Sequence, residues 1–177
     1  MSSSKTIFSG FGGQGVLMMG YGLARGAMHA GYNVTFLPSY GAEMRGGTAN
    51  CTVCVSQEEI ASPIASTPDY LVVMNIPSLF VFQNRVARNG IIFINSSMVN
   101  VEPVRNDVRI VKVDCVRIAE EFGSAQMANI AMLGEFLRET KVVSKENFLE
   151  GLRELLAKKK KSVLEANIRT FEATYNK

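Results

Sequence analysis

Ser9-Gly10-Phe11-Gly12-Gly13-Gln14-Gly15-Val16 lies directly after the β-like run Lys5-Thr6-Ile7-Phe8 and directly before a helical pattern. Strand, glycine turn and helix in that order open an α/β domain. A second turn, Pro38-Ser39-Tyr40-Gly41-Ala42-Glu43-Met44-Arg45-Gly46-Gly47-Thr48, follows the strand-like Tyr32-Asn33-Val34-Thr35-Phe36-Leu37. In an open α/β sheet both turns lie beyond the carboxyl ends of their strands, where ligands of this architecture bind. The two turns are therefore expected to face one site.

Working outward, Val16, Met19, Leu23, Ala27 and Ala30 recur at helical spacing and predict a helix over 14–30. The glycines inside it cost about 1 kcal/mol each relative to Ala, so close packing against the sheet or another chain is expected there. Residues 49–56 alternate as a third strand, and Pro63 and Pro68 enforce a loop. The continuous apolar run from Asp69 to Asn75 predicts a strand buried on both faces. Pro77 suits the first turn of a helix through Arg88, and further strands are expected at 91–95 and 108–113. Helices over 116–122 and 127–138, a helix capped by Ser144, and a last one carrying Leu164, Ile168, Phe171 and Tyr175 complete the pattern. Such alternation predicts a three-layer αβα sandwich, Rossmann-like, around a mostly parallel central sheet that admits a mixed arrangement. With no repeat or low-complexity linker, 1–177 reads as a single domain.

Composition narrows the function classes. At 177 residues, 47% apolar and 20% charged, the chain can bury one sizeable core. A net charge of +3 and the absence of Trp argue against nucleic acid. Met1-Ser2-Ser3-Ser4 lacks the basic start of a leader, and 16–30 is interrupted by Gly20, Gly22, Arg25 and Gly26, so neither a leader nor a membrane span is expected. An odd set of cysteines, Cys51, Cys54 and Cys115, suits a reducing compartment, and a cytoplasmic protein is expected. From Met1 to Ala42 the chain has Lys5 and Arg25 but no carboxylate, so an anionic ligand would meet little repulsion there.

Gly10-x-Gly12-x-x-Gly15 matches the dinucleotide fingerprint in form. The acid that would hold the ribose belongs at the end of the second strand, where this chain has Phe36, Leu37, Pro38 and Ser39, and that disfavours NAD. What survives is a helix amino end whose backbone N–H groups can meet a phosphate or another anion; a tight βα turn made only for packing is the alternative. Tyr40, Glu43 and Arg45 stand in the second loop, where a Glu–Arg pair could hold a ligand or a subunit, or form a simple surface salt bridge. Cys51 and Cys54, three apart on a strand, point to opposite faces and make a poor metal site. His29 reads as structural at a helix end. The four lysines at 158–161 read as a solvated helix face, with an acidic partner or a carrier's phosphates as the functional alternative. Ser9, Ser39 and Ser97 lack a base in sequence, and no catalytic or metal-binding residue is assigned.

The first turn, Gly10 to Val16, and the run Ser39-Tyr40-Gly41-Ala42-Glu43-Met44-Arg45-Gly46-Gly47 closely resemble the gamma subunit, or fused gamma domain, of 2-oxoacid:ferredoxin oxidoreductases. The similarity continues through 69–77, 129–134 and 167–171. It implies a subunit, most like the 2-oxoglutarate type, of a cytoplasmic complex that decarboxylates a 2-oxoacid oxidatively, reduces ferredoxin and forms an acyl-coenzyme A. In that family thiamine diphosphate, magnesium and iron-sulfur clusters belong to other chains: thiamine-binding alpha and beta subunits and, in some members, a ferredoxin-like delta subunit. This chain is then noncatalytic alone, assists assembly and helps bind coenzyme A. The matched positions are Gly10, Gly12, Gly13, Gln14 and Gly15, together with Ser39, Tyr40, Glu43, Arg45, Gly46 and Gly47. Ala42 replaces a Pro common in the family, and Thr170 and Thr174 stand where small Ala and Gly are usual. Other readings are a pyruvate, branched-chain or indolepyruvate subunit, a free-standing nucleotide-binding enzyme, and a purely structural subunit.

Overall fold

The structure, a computed structural model, describes residues 3–39 and 48–177. Its strands are β1 (Ser3–Phe11), β2 (Asn33–Ser39), β3 (Thr48–Ser56), β4 (Tyr70–Val73), β5 (Ile91–Asn95) and β6 (Arg109–Val113). The helices are α1 (Val16–His29), α2 (Ile76–Phe82), α3 (Cys115–Glu121), α4 (Ala128–Thr140), α5 (Lys145–Leu155) and α6 (Lys161–Tyr175). The strands form one sheet in the order β2-β3-β1-β4-β5-β6. β1, β4, β5 and β6 run parallel, and β3 is antiparallel to both of its neighbours. The sheet is thus mostly parallel and mixed, as the sequence allowed.

Strand alternation builds the layers. Val72 and Phe93 face a thick layer made of α1 and α3 to α6, whereas Leu71, Val73, Ile92 and Ile94 face a thin one made of α2 and loops. Both sides of β4 and β5 are covered, which is why these runs are apolar at every position. Phe136 of α4 sits at the centre of the thick layer, its ring centroid 5.2 Å from that of Phe93 and 5.6 Å from that of Phe8.

The glycines of α1 serve packing within the chain. A methyl group at Gly20 would meet Cys51 Sγ at 2.5 Å, and one at Gly26 would meet Phe148 Cα at 3.0 Å. The helix therefore lies tight on β3 on one side and on α5 on the other.

Two expectations change in detail. The helix opened by Pro77 ends at Phe82 and gives way to a single 3-10 turn, Gln83–Arg85. There Arg105 Nη1 donates to Gln83 O (2.9 Å) and Val86 O (3.0 Å), meeting acceptors that further helix would otherwise have used. The lysine run does not lie along a helix: 158–160 fall in the turn between α5 and α6, and only Lys161 is helical. A turn lets like charges splay that would repel along one helical face.

α6 closes the thick layer through its threonines. Thr170 and Thr174 are fully buried, and Thr174 Oγ1 donates to Ala131 O of α4 at 2.8 Å. Gly134 lies opposite, with no room for a methyl group between it and Thr174 Oγ1 or Phe171 O. Gly134→Ala is expected to force α4 and α6 apart and cost about 1–3 kcal/mol. Scanning calorimetry should show a melting temperature lower by several degrees; an unchanged value would mean the helices do not approach this closely.

Candidate functional site

β1 ends at Phe11, paired with Thr48, and β2 ends at Ser39, paired with Asn50. Since β3 starts where its two neighbours stop, the first glycine turn and the start of the second loop lie on one rim of the sheet. Between them is a cleft of about 330 Å3. Gly12, Gly13, Gly15 and the first turn of α1 (Val16, Leu17, Met18) form one wall; Phe11, Ser39 and Ala49 complete it.

Local bonding shapes that wall. Gln14 N donates to Phe11 O at 3.2 Å, closing the turn. The Gln14 side chain then works in both directions: Oε1 accepts from Phe11 N at 2.7 Å, and Nε2 donates to Met74 O at 3.1 Å. The turn is thereby tied to the end of β4. Gly15, at the N-cap of α1, has φ 71°, a left-handed conformation that favours glycine. A methyl group there would also strike Asn129, whose Cγ would be 2.7 Å away.

Asn129, at the start of α4, donates from Nδ2 to Gly15 O at 3.4 Å and accepts from Ile130 N at 3.0 Å. Beyond Met18 and Asn129 lies a second hollow of about 480 Å3, where the ends of α3, α5 and α6 meet. Lys159 of the lysine run lines it. The similarity through 129–134 assigns Asn129 no role of its own, because a bond to a turn 114 residues away leaves no local signature.

The electrostatics suit an anion. α1 has no acidic residue in its first turn and no side chain capping its amino end. The first N–H groups of a helix have no intrahelical partner, and they carry the positive end of the helix dipole. Among the described lining residues none has an ionisable side chain.

Of the residues expected at the site, Gly12, Gly13, Gly15 and Ser39 line the cleft. Gly10 and Gln14 stand behind it: a methyl group on Gly10 would meet Gln14 Oε1 at 2.7 Å and Met74 Cβ at 2.8 Å. Tyr40, Glu43, Arg45, Gly46 and Gly47 lie outside the described residues.

The other reactive groups are held elsewhere. Ser9 Oγ is buried and donates to Ser78 Oγ at 2.9 Å. Ser97 Oγ donates to Asp114 Oδ1 at 2.5 Å, and this bond and then Arg117 hold the Asp114 carboxyl below the usual range. Cys51 Sγ points toward Val16 O (3.6 Å) on the thick side, and Cys54 Sγ toward Pro63 O (3.7 Å) on the other. Burial pushes the Cys51 thiol up to about 12 and raises that of Cys115 as well, which suits neither to act as a thiolate. His29 Nε2 meets Glu154 Oε1 of α5 at 3.1 Å, a contact between helices.

Sheet order, rim and cleft together define an α/β domain with a ligand-sized opening beyond the carboxyl ends of β1 and β2. The chain belongs to the pyruvate ferredoxin/flavodoxin oxidoreductase family, which it matches over residues 5–177. It is 40% identical over 166 residues to the ketoisovalerate oxidoreductase subunit VorA of Methanothermobacter thermautotrophicus, covering 93% of this chain and 34% of that one. It therefore spans about a third of the length of that relative. It is 32% identical over 170 residues to the 2-oxoglutarate synthase subunit KorC of Methanocaldococcus jannaschii, covering 94% of this chain and 89% of the relative. Among solved structures, the gamma subunit of a keto/oxoacid ferredoxin oxidoreductase from Geobacter sulfurreducens PCA has the same fold, with a TM-score of 0.84, 24% identity and coverage of 98% and 96%. So does part of the 2-oxoglutarate:ferredoxin oxidoreductase from Magnetococcus marinus with 2-oxoglutarate, coenzyme A and succinyl-CoA bound, with a TM-score of 0.90, 21% identity and coverage of 99% and 31%.

Removing the Gln14 side chain should loosen the rim. Gln14→Ala leaves the Phe11 N–H and the Met74 carbonyl without their partner, at an expected cost of about 1–3 kcal/mol. Urea unfolding should show the loss, and the Phe11 amide should exchange its hydrogen faster. Unchanged stability together with unchanged exchange would contradict the bracing role.

Proposed function

We propose that this chain is the gamma-type subunit of a 2-oxoacid:ferredoxin oxidoreductase, all of 1–177 forming one domain. The complex decarboxylates a 2-oxoacid oxidatively, reduces ferredoxin and forms an acyl-coenzyme A. The observation that carries this reading is the family match over 5–177, which includes both sides of the cleft. Thiamine diphosphate, magnesium and iron-sulfur clusters reside on companion alpha and beta chains and on a ferredoxin-like delta chain where one is present. This chain supplies no catalytic group of its own and works in the cytoplasm; among the described residues no helix is long and apolar enough to cross a membrane.

Its chemical contribution is to hold coenzyme A, a long carrier bearing phosphates at one end. The pyrophosphate lies at the amino end of α1, where the Gly12, Gly13 and Gly15 backbone admits close approach. Phe11, Leu17 and Met18 offer apolar contact to the neutral arm. Ser39 faces them across the cleft; Tyr40, Glu43, Arg45, Gly46 and Gly47, in the segment that follows it in sequence, are assigned to the same ligand with Arg45 as its cation, while Gly10 and Gln14 keep the turn in shape.

The substrate of the complex is 2-oxoglutarate, a reading supported by the KorC relative, with which this chain shares nearly its whole length. A branched-chain 2-oxoacid is the second reading, favoured by the identity of 40% to VorA against 32% to KorC.

Reconstitution with the companion chains tests the proposal. Complex lacking this chain is expected to lose 2-oxoacid-dependent acyl-coenzyme A formation. Complex carrying Ser39→Glu is expected to show a KM for coenzyme A raised at least about tenfold by charge repulsion in the cleft, with ferredoxin reduction otherwise retained. Full activity without the chain would overturn the subunit role. An unaltered KM would overturn the placement of coenzyme A.

A further inference from the structure

The thin side of the sandwich presents apolar side chains to solvent. On α2, Phe80 and Val81 are 57% and 56% exposed, and in the adjoining loops Ile64 is 56% and Val104 73% exposed. Two hydrogen bonds bring these loops onto α2 and its 3-10 extension. Val104 N donates to Gln83 Oε1 at 2.9 Å, one turn beyond Phe80. Arg85 Nη2 donates to Ala65 O at 2.8 Å, one turn beyond Val81 and next to Ile64. Exposed apolar patches of a few hundred Å2 mark interaction sites.

The rim of this patch is basic. Arg85 lies over the Phe82 ring and hydrogen-bonds backbone carbonyls, with no carboxylate partner among the described residues. Arg105, largely buried, and Arg88, exposed, share the one carboxylate of Asp107, at 2.5 Å and 3.7 Å, and Glu102, exposed two residues before Val104, is paired with Lys112. The rim therefore carries more positive charge than its own acids offset.

These observations select among occupants. A stable interface takes about 800 Å2 from each partner, more than four apolar side chains supply, so the contact extends over the charged rim. A second copy docking by twofold symmetry would set this basic rim against itself or close to itself, which is unfavourable. An acidic rim around an apolar centre is complementary. In the VorA relative the matched region is about a third of a longer chain, so domains of this kind are built beside further protein.

The geometry points to the outer face of α2, with Ile64, Phe80, Val81 and Val104 at its centre and Arg85 and Arg88 at its rim, as the surface that docks on an acidic-rimmed companion chain of the complex. This rests on the subunit reading above. It leaves the cleft, at the rim of the sheet, open to coenzyme A while α2 is covered.

The test uses the full chain co-expressed with tagged companion chains, as wild type, as Phe80→Asp/Val104→Asp, and as Tyr21→Asp/Met28→Asp on the exposed side of α1. The α2 variant is expected to keep the wild-type melting temperature when isolated, yet to be recovered with the companions at least about tenfold less, the size of a lost hot spot. The α1 variant should be recovered like wild type. Normal recovery of a folded α2 variant, or loss confined to the α1 variant, would overturn the assignment. So would an isolated wild-type dimer that the α2 substitutions dissolve, since a second copy would then be the occupant. If the wild type itself recovers no companion, the subunit reading falls and takes this one with it, an outcome distinct from a defect in the α2 variant alone.

Discussion

One side chain joins the two halves of the rim. Gln14 accepts from the Phe11 amide and donates to the Met74 carbonyl, so the turn after β1 and the end of β4 move as one piece. Gly10 has no room for a side chain because Gln14 must pass over it to reach β4. Gly15 takes a left-handed conformation because the chain must turn at once into α1 with Asn129 pressed against it. The amino end of α1 is thereby aimed at the cleft.

Much of the fold was legible because its signals are local. The unbroken apolar runs of β4 and β5 reflect strands covered on both faces, and the three-to-four spacing of α1 reflects one face on the sheet. The glycines of α1 pointed to close packing, and the structure identifies the neighbours as Cys51 and Phe148. The antiparallel insertion of β3 between β2 and β1 was harder to read, because strand direction is set by pairing partners and not by side-chain pattern. The end of α2 depends on Arg105, more than twenty residues downstream, and no periodicity could show that. Lys158 to Lys160 fall in a turn, where like charges can splay, and a hydrophobic pattern does not register that charge crowding.

The shared rim was legible in outline. Two glycine-rich turns after two strands implied a common rim, and strand register places Phe11 and Ser39 there. The separate tasks of the matched residues were not legible: Gly12, Gly13, Gly15 and Ser39 line the opening, whereas Gly10 and Gln14 act from behind. Met18, which lines both the cleft and the neighbouring hollow, and Asn129, which lines the hollow and bonds Gly15 O, meet where α4 packs on α1. Among the described residues the Cys51 and Cys115 thiols are sealed in the core and the Ser9 and Ser97 hydroxyls are committed to hydrogen bonds, whereas the rim presents the backbone donors at the start of α1.

The proposed coenzyme A site depends on both turns meeting one ligand. Amide chemical shifts of the assembled or isolated chain, followed during titration with coenzyme A, measure this directly. Resonances of Gly12, Gly13 and Val16 to Met18 should move together with those of Ser39 and Ala49, along one saturation curve. Shifts limited to one turn, or two curves with different midpoints, would contradict a shared site.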